Sequence, residues 1–402
     1  METEIVIVSA ARTPFGRFGG SLQYLDYFDL GAIPIREVVK RAGLKNDQID
    51  EVFWGVGDTS VCKDVYTPVA ARQTLLKAGL SHTTPSISLD KACVSAMSAV
   101  KLGCTAMKAG EIKIAIGGGA TSFSREPLIG RNLRLNGFRL GNVILEDPLF
   151  ALGYKDYNPV AVDAGNVALE HNISRQEQDD WAVRSHKNYG DAWSKGKFKE
   201  EIIPLDIPVS KSETKKLDID EQYRPDITLE KLAKLPTIYG SPTITAGNAP
   251  GLNDGATAIL FATRKKVTEL ELTPLAQIVS ITSIAIQPDR LAEAPVFAIQ
   301  KAIKMAGITM DDVAVMEINE AFAAVPLVTT KILANGDNAT LKAIRAKTNI
   351  NGSAIAIGHP NTSSGARLLM NLVYELRRRG SGYAVGAICG GLAQADAAVI
   401  KV

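Results

Sequence analysis

Cysteine is scarce in this sequence and never paired. Cys62, Cys93, Cys104 and Cys389 contain no CxxC spacing, which suits neither a disulfide framework nor a zinc site. The four histidines, His82, His171, His186 and His359, show no HExxH or other ligand spacing, so no metal is expected. An uninterrupted run of about 18 apolar residues, as a membrane span requires, is missing. The acidic start Met1-Glu2-Thr3-Glu4 lacks the basic region and apolar run of a signal peptide. Charge of one sign is missing too: 45 basic residues face 43 acidic ones without a long run of either, which disfavours nucleic acid as a partner. Together these absences predict a cytoplasmic protein with reduced thiols, no membrane association and no metal cofactor.

What is present is an alternation. A chain of 402 residues exceeds what one core usually organises, so two or three packed units are expected. Ile5 to Ala10 is a nearly continuous apolar run, the pattern of a strand buried on both faces. Asp29 to Ala42 has helical spacing despite Pro34, Glu51 to Val56 reads as a strand, Lys91 to Ala109 as a long helix, and Lys113 to Ile116 as a buried strand. Strands alternating with helices predict an α/β class with a mostly parallel sheet covered on both faces. From about Phe123 to Asn253 charged turns, scattered prolines and an amphipathic helix (Arg175 to Tyr189) interrupt the pattern, as an inserted region would. It returns with a strand at Ala276 to Ser283, a helix at Ala294 to Ala306 and a strand at Val313 to Glu317.

The second stretch copies the first. Cys93 opens a helix ending at Ala109-Gly110, followed by a strand and Gly117-Gly118-Gly119. His359-Pro360 opens another, Ser364 to Arg379, which Gly380 stops before the strand Tyr383 to Ile388 and Cys389-Gly390-Gly391. Each candidate taken alone has two readings. Cys93 is a nucleophile whose pKa a helix N-terminus would lower, or a buried cysteine among small residues. His359 is a rigidly held imidazole after Gly358, or a structural cap. Asn319 in Asn319-Glu320-Ala321-Phe322 holds a water or substrate oxygen, or is a plain helix N-cap. Cys389, at a strand end, is equally open. Cys104, eleven positions past Cys93 among apolar residues, reads as core.

Read in order, these segments resemble the thiolase family. A nucleophile-type cysteine, then NEAF, then Asn351-Gly352-Ser353-Ala354-Ile355-Ala356-Ile357-Gly358-His359-Pro360, then Cys389-Gly390-Gly391 match its four signature blocks. Ala10 to Gly16, Gly118 to Ser124, Asp220 to Pro225, and Thr245 to Asn248 through Asn253 to Ala256 are also similar.

The resemblance implies two βαβαβαββ halves in a five-layered α-β-α-β-α core. The N-terminal half would take residues 1–121 plus 253–275, an inserted loop domain 122–252, and the C-terminal half 276–402. It implies a homodimer or homotetramer acting on acyl-CoA and CoA, with no further cofactor. Cys93 would carry the acyl group, His359 would accept its proton, and Cys389 would exchange a proton with C2 of the acetyl thioester, a role expected of a group near neutral pKa. His359 and a water on Asn319 would form one oxyanion pocket, and the N–H groups of Cys93 and Gly391 the other. Arg224, Ala249, Ala321 and Phe322 would contact CoA, Arg224 over the adenine.

The chain departs from the family at Val94 and Ala96, where glycines flank the serine after the nucleophile, at Pro159, Val160 and Gly165 in the pantetheine-facing segment, at Pro250, and at Asp90 in place of asparagine. These predict a narrowed space beside Cys93 and an altered substrate preference. A decarboxylating ketoacyl-synthase-like enzyme and a non-catalytic acyl-CoA-binding subunit are the alternatives. Retention of Cys389 with NEAF argues against the first, and the absence of any catalytic loss against the second.

Overall fold

In the computed structural model the described residues are all except 1–2, 58–67, 131–132, 134–136, 138–139, 151–152, 155, 209 and 211–212. Cys62 lies outside them. The N-terminal part runs β1 (Ile5–Arg12), α1 (Tyr27–Arg41), β2 (Glu51–Val56), α2 (Ala70–Lys77), β3 (Ser86–Leu89), α3 (Ser95–Ala109) and β4 (Ile114–Thr121). After α4 (Val160–Glu170) and α5 (Arg175–Ser194), β5 (Asn253–Thr263) returns to the sheet. The C-terminal part runs β6 (Ala276–Ala285), α6 (Ala294–Ala306), β7 (Val313–Ile318), α7 (Ala324–Leu333), α8 (Asn361–Arg379), β8 (Tyr383–Gly390) and β9 (Gln394–Lys401).

The main strands hydrogen-bond in the order β7-β8-β9-β6-β1-β5-β4-β2-β3. Two copies of one topology meet at the short β1–β6 pairing, Val6 with Gln277 and Ile7 with Ala276. In each copy the inner strands are parallel (β2 with β4, β7 with β8) and the return strand antiparallel (β5, β9). Where β3 flanks β2, a parallel bridge from Thr348 to Met316 flanks β7.

Alternation of side chains along each strand divides the core into layers. Val6, Val52, Trp54 and Ile116 pack under α1 and α2. Ile5, Ile7, Phe53 and Phe261 face the other way, onto α3 and α8, which also carry Ala384, Ile388 and Ile400 from the second half. Met316, Val385, Ala397 and Val399 point outward to α6 and α7. The order is therefore helix, sheet, paired helices, sheet, helix, with α3 and α8 at the centre.

β4 is longer than its apolar run suggested and passes through Gly117-Gly118-Gly119. Packing explains this. A Cβ on Gly119 would overlap Thr362 O, so only glycine lets the start of α8 reach the strand. Asn319 is likewise no helix cap, because α7 begins at Ala324, and its N–H continues the ladder to Ala387 O at 2.9 Å.

Candidate active site

Cys93 lies in a 3-10 turn, Ala92–Val94, just before α3. Ala92 has φ 49°, a left-handed conformation that a non-glycine residue adopts only when its surroundings impose it. Asp90 Oδ1 accepts from Ala92 N at 2.8 Å, and Ser95 Oγ accepts from Lys91 N at 2.8 Å. Lys91 Nζ reaches Asp396 on β9 at 2.7 Å. The nucleophile turn is thus tied to the opposite half of the molecule.

His359 comes from that half. Gly358, at φ 109°, brings the chain against Asn253, whose Oδ1 accepts from His359 N at 2.8 Å. His359 Nε2 stands 3.1 Å from Cys93 Sγ. Its Nδ1 stands 2.7 Å from Ser364 Oγ, one turn into α8. Ser364 has a single hydroxyl proton and donates it to Pro360 O at 3.0 Å, so toward the imidazole it accepts. Nδ1 therefore carries the proton, and the Nε2 lone pair faces the thiol. Ser364 lies just past the matched block that ends at Pro360, and its role was not legible, since a serine in a first helical turn reads as ordinary capping.

Asn319 Nδ2 lies 3.5 Å from His359 Nε2. Its Oδ1 is held from behind by Arg367 Nη2 at 3.2 Å, and this buried guanidinium also bonds Glu317 and Ser353 Oγ. Arg367 consequently turns the amide N–H₂ toward the cleft. Glu320, next in the motif, is buried and accepts from Trp181 Nε1, Ser185 Oγ, Asn349 Nδ2 and Ile355 N, which joins α5 to the C-terminal half.

Cys389 is the last residue but one of β8 and is fully buried, close enough for the charge of Cys93 to raise its pKa. A Cβ on Gly391 would sit 3.2 Å from that of Ala92, so the two turns touch. Leu392 and Ala393, both at φ 54°, put backbone strain on this side of the cleft as well.

Two electrostatic expectations are overturned. Burial pushes the Cys93 thiol up to about 12, outweighing the lowering by the backbone N–H at the helix start, and the negative charge of Asp90 adds to the rise. Cys389 is not near neutral either, because burial raises it well above the usual thiol range. Burial also lowers His359 to about 4. The resting pair is a neutral thiol facing a neutral imidazole.

The departures also read differently in three dimensions. Val94 is buried with its methyls against Gly390, Ala96 lies in the central layer, and Val160 leans on the outer C-terminal core. At Gly165 a Cβ would come within 2.8 Å of Pro242 Cδ. Core packing accommodates these four positions, and Cys93 packs against the same central cluster as Val94 and Ala96. Pro159 caps α4, and Pro250 is half-buried.

Of the expected CoA contacts, Ala249 and the pair Ala321-Phe322 are brought together by the Ala323 N bond to Asn248 O at 2.8 Å, with Phe322 largely buried. Arg224 is on a separate turn, exposed, its N–H bonded to His186 Nδ1 at 3.1 Å. Cys104 is buried in the central layer. Among the described residues no cluster of three His, Cys, Asp or Glu could hold a metal, and no helix is long and apolar enough to cross a membrane.

Comparison with known proteins agrees with this geometry. Residues 5–265 match the family described as thiolase, N-terminal domain, and residues 272–402 match thiolase, C-terminal domain. The chain is 38% identical over 390 residues to an acetyl-CoA acetyltransferase of Chromobacterium violaceum, covering 96% of each. It is 36% identical over 405 residues to a beta-ketoadipyl-CoA thiolase of Acinetobacter baylyi, covering 98% of each. The crystal structure of human mitochondrial 3-ketoacyl-CoA thiolase in complex with CoA superimposes with a TM-score of 0.91 at 35% identity, covering 99% of this chain and 98% of that one. The chain belongs to the thiolase family and is an acyltransferase.

Proposed function

We propose that this protein cleaves a 3-oxoacyl-CoA with CoA to acetyl-CoA and a shortened acyl-CoA, or runs the reverse condensation, through an acyl thioester on Cys93. The observation that carries the reading is the 3.1 Å approach of His359 Nε2, in its acceptor tautomer, to Cys93 Sγ. In the cleavage direction His359 takes the thiol proton as Sγ attacks the 3-oxo carbon. The C2–C3 bond breaks, and Cys389 gives its proton to C2, releasing acetyl-CoA. The Cys389 thiolate then takes the proton of incoming CoA, whose sulfur displaces the acyl group from Cys93, and the imidazolium returns its proton there. Each proton and electron pair is accounted for within these three residues and the substrates.

Asn319, through a water, with His359 stabilises the enolate oxygen, and the N–H groups of Cys93 and Gly391 the tetrahedral oxyanion. A high thiol pKa at Cys389 suits exchange with a carbon acid, since its thiolate is the more basic for it. CoA lies along Arg224, Ala249, Ala321 and Phe322. The division into 1–121 plus 253–275, the inserted 122–252, and 276–402 follows from the same reading. The chain works in the cytosol as a homodimer or homotetramer. Exposed Leu128, Leu140, Ile144 and Leu145 around the pairing of Ile129–Gly130 with Leu145–Glu146 support self-association.

Incubating the purified protein with acetoacetyl-CoA and CoA tests the activity. Formation of acetyl-CoA at the rate acetoacetyl-CoA disappears is expected, or of its equivalent from a longer 3-oxoacyl-CoA. No thioester consumption across a series of chain lengths would refute it.

A further inference from the structure

Tyr154, in the segment before α4, reaches the catalytic turns although no signature motif contains it. A Cβ on Gly391 would overlap its hydroxyl oxygen and lie 3.0 Å from ring carbon Cζ. The phenol therefore lies against Gly391, whose N–H faces the reacting carbonyl in the reading above, and which also adjoins Ala92 beside Cys93. Its ring is half-buried, and among the described residues its hydroxyl has no hydrogen-bond partner. Burial raises its pKa, and the charges of Cys93, Asp90 and Cys389 act in the same direction. The group is a neutral phenol and a standing hydrogen-bond donor, not a base.

A donor left dry and unpaired is costly, so an acyl group that covers it without accepting a bond is disfavoured against one that accepts. The charge nearby narrows the class of acceptor. Asp90 puts a negative charge at the same place, while Lys91 is engaged by Asp396 and Ser98 Oγ. A neutral oxygen thus fits better than a carboxylate.

Resting on the thiolase reading, we propose that Tyr154 is a specificity-determining residue that selects acyl groups bearing a neutral oxygen, a hydroxyl or a carbonyl, on the chain beyond the thioester. The acylation step is the ordinary exchange in which the acyl-CoA passes its acyl group to Cys93 and leaves as CoA.

The test compares acylation of Cys93 by 3-hydroxybutanoyl-CoA and by 3-methylbutanoyl-CoA, where a methyl replaces the hydroxyl, with the rates read by intact mass after rapid quenching. The wild-type protein should favour the hydroxylated group by roughly tenfold or more, and Tyr154→Phe should bring the ratio close to one. An equal ratio in both proteins, a wild-type preference for the methyl compound, or acylation by neither overturns the proposal. Acetyl-CoA run in parallel on the wild-type protein separates the two levels: if it too fails to acylate Cys93, the thiolase reading itself has fallen.

Discussion

At Cys93 and His359 burial disfavours thiolate and imidazolium alike, which raises the one pKa and lowers the other. A preformed ion pair would make the thiol reactive from acid pH upward with a plateau. A neutral pair makes alkylation by iodoacetamide climb throughout pH 6 to 9 without a plateau, because the thiolate is a vanishing fraction below about 12. A plateau in that range would contradict the neutral pair. Asp90→Asn removes one charge that raises this pKa, so the variant should alkylate faster at any given pH. Ser364→Ala removes the acceptor that fixes the tautomer, and roughly a tenfold slower acylation is expected. His359→Ala should lose orders of magnitude while its far-ultraviolet circular dichroism stays unchanged. Unaltered acylation in either variant would remove that residue from the mechanism.

What was readable at this scale depended on distance along the chain. Cys93, Asn319, His359 and Cys389 sit in short ordered motifs. Arg367 and Tyr154 meet partners that the fold supplies: Arg367 meets the Asn319 amide 48 residues away. Solvation was not readable, so the lowered thiol pKa expected at a helix start was the wrong sign once burial was known.

Among the elements, the legible ones were those whose pattern is local. The strand Glu51–Val56 and the helix Ala294–Ala306 fall where periodicity put them. The glycine run did not read as strand, because its reason lies across the interface with α8. That interface makes a prediction. A Cβ on Gly365 of α8 would lie 2.7 Å from Met97 N of α3, so Gly365→Ala must separate the two central helices. Overpacking of this kind costs about 1 to 3 kcal/mol, and since Cys93 leads into one helix and His359 into the other, acylation should slow with the loss of stability. Urea unfolding together with acylation kinetics measures both. A variant as stable and as fast as the parent would show that the helices have slack.

For the whole molecule, duplication was legible as a repeated order of helix, strand and glycine pair, and its purpose becomes visible only in the assembled sheets. Each half contributes one side of the cleft: Cys93 from the first, His359, Asn319, Cys389 and Gly391 from the second. Sedimentation should give a mass of at least twice the 43.0 kDa chain, and Leu140→Ser with Ile144→Ser should lower it if the exposed apolar arm joins subunits. A parent protein that sediments as a monomer would contradict self-association. The most direct test of the account is the site of the acyl group. After brief exposure to acetyl-CoA and acid quenching, peptide mapping should find acetyl on the peptide containing Cys93 and none on it in His359→Ala. Acetyl confined to Cys62, Cys104 or Cys389 in the parent protein would contradict the account.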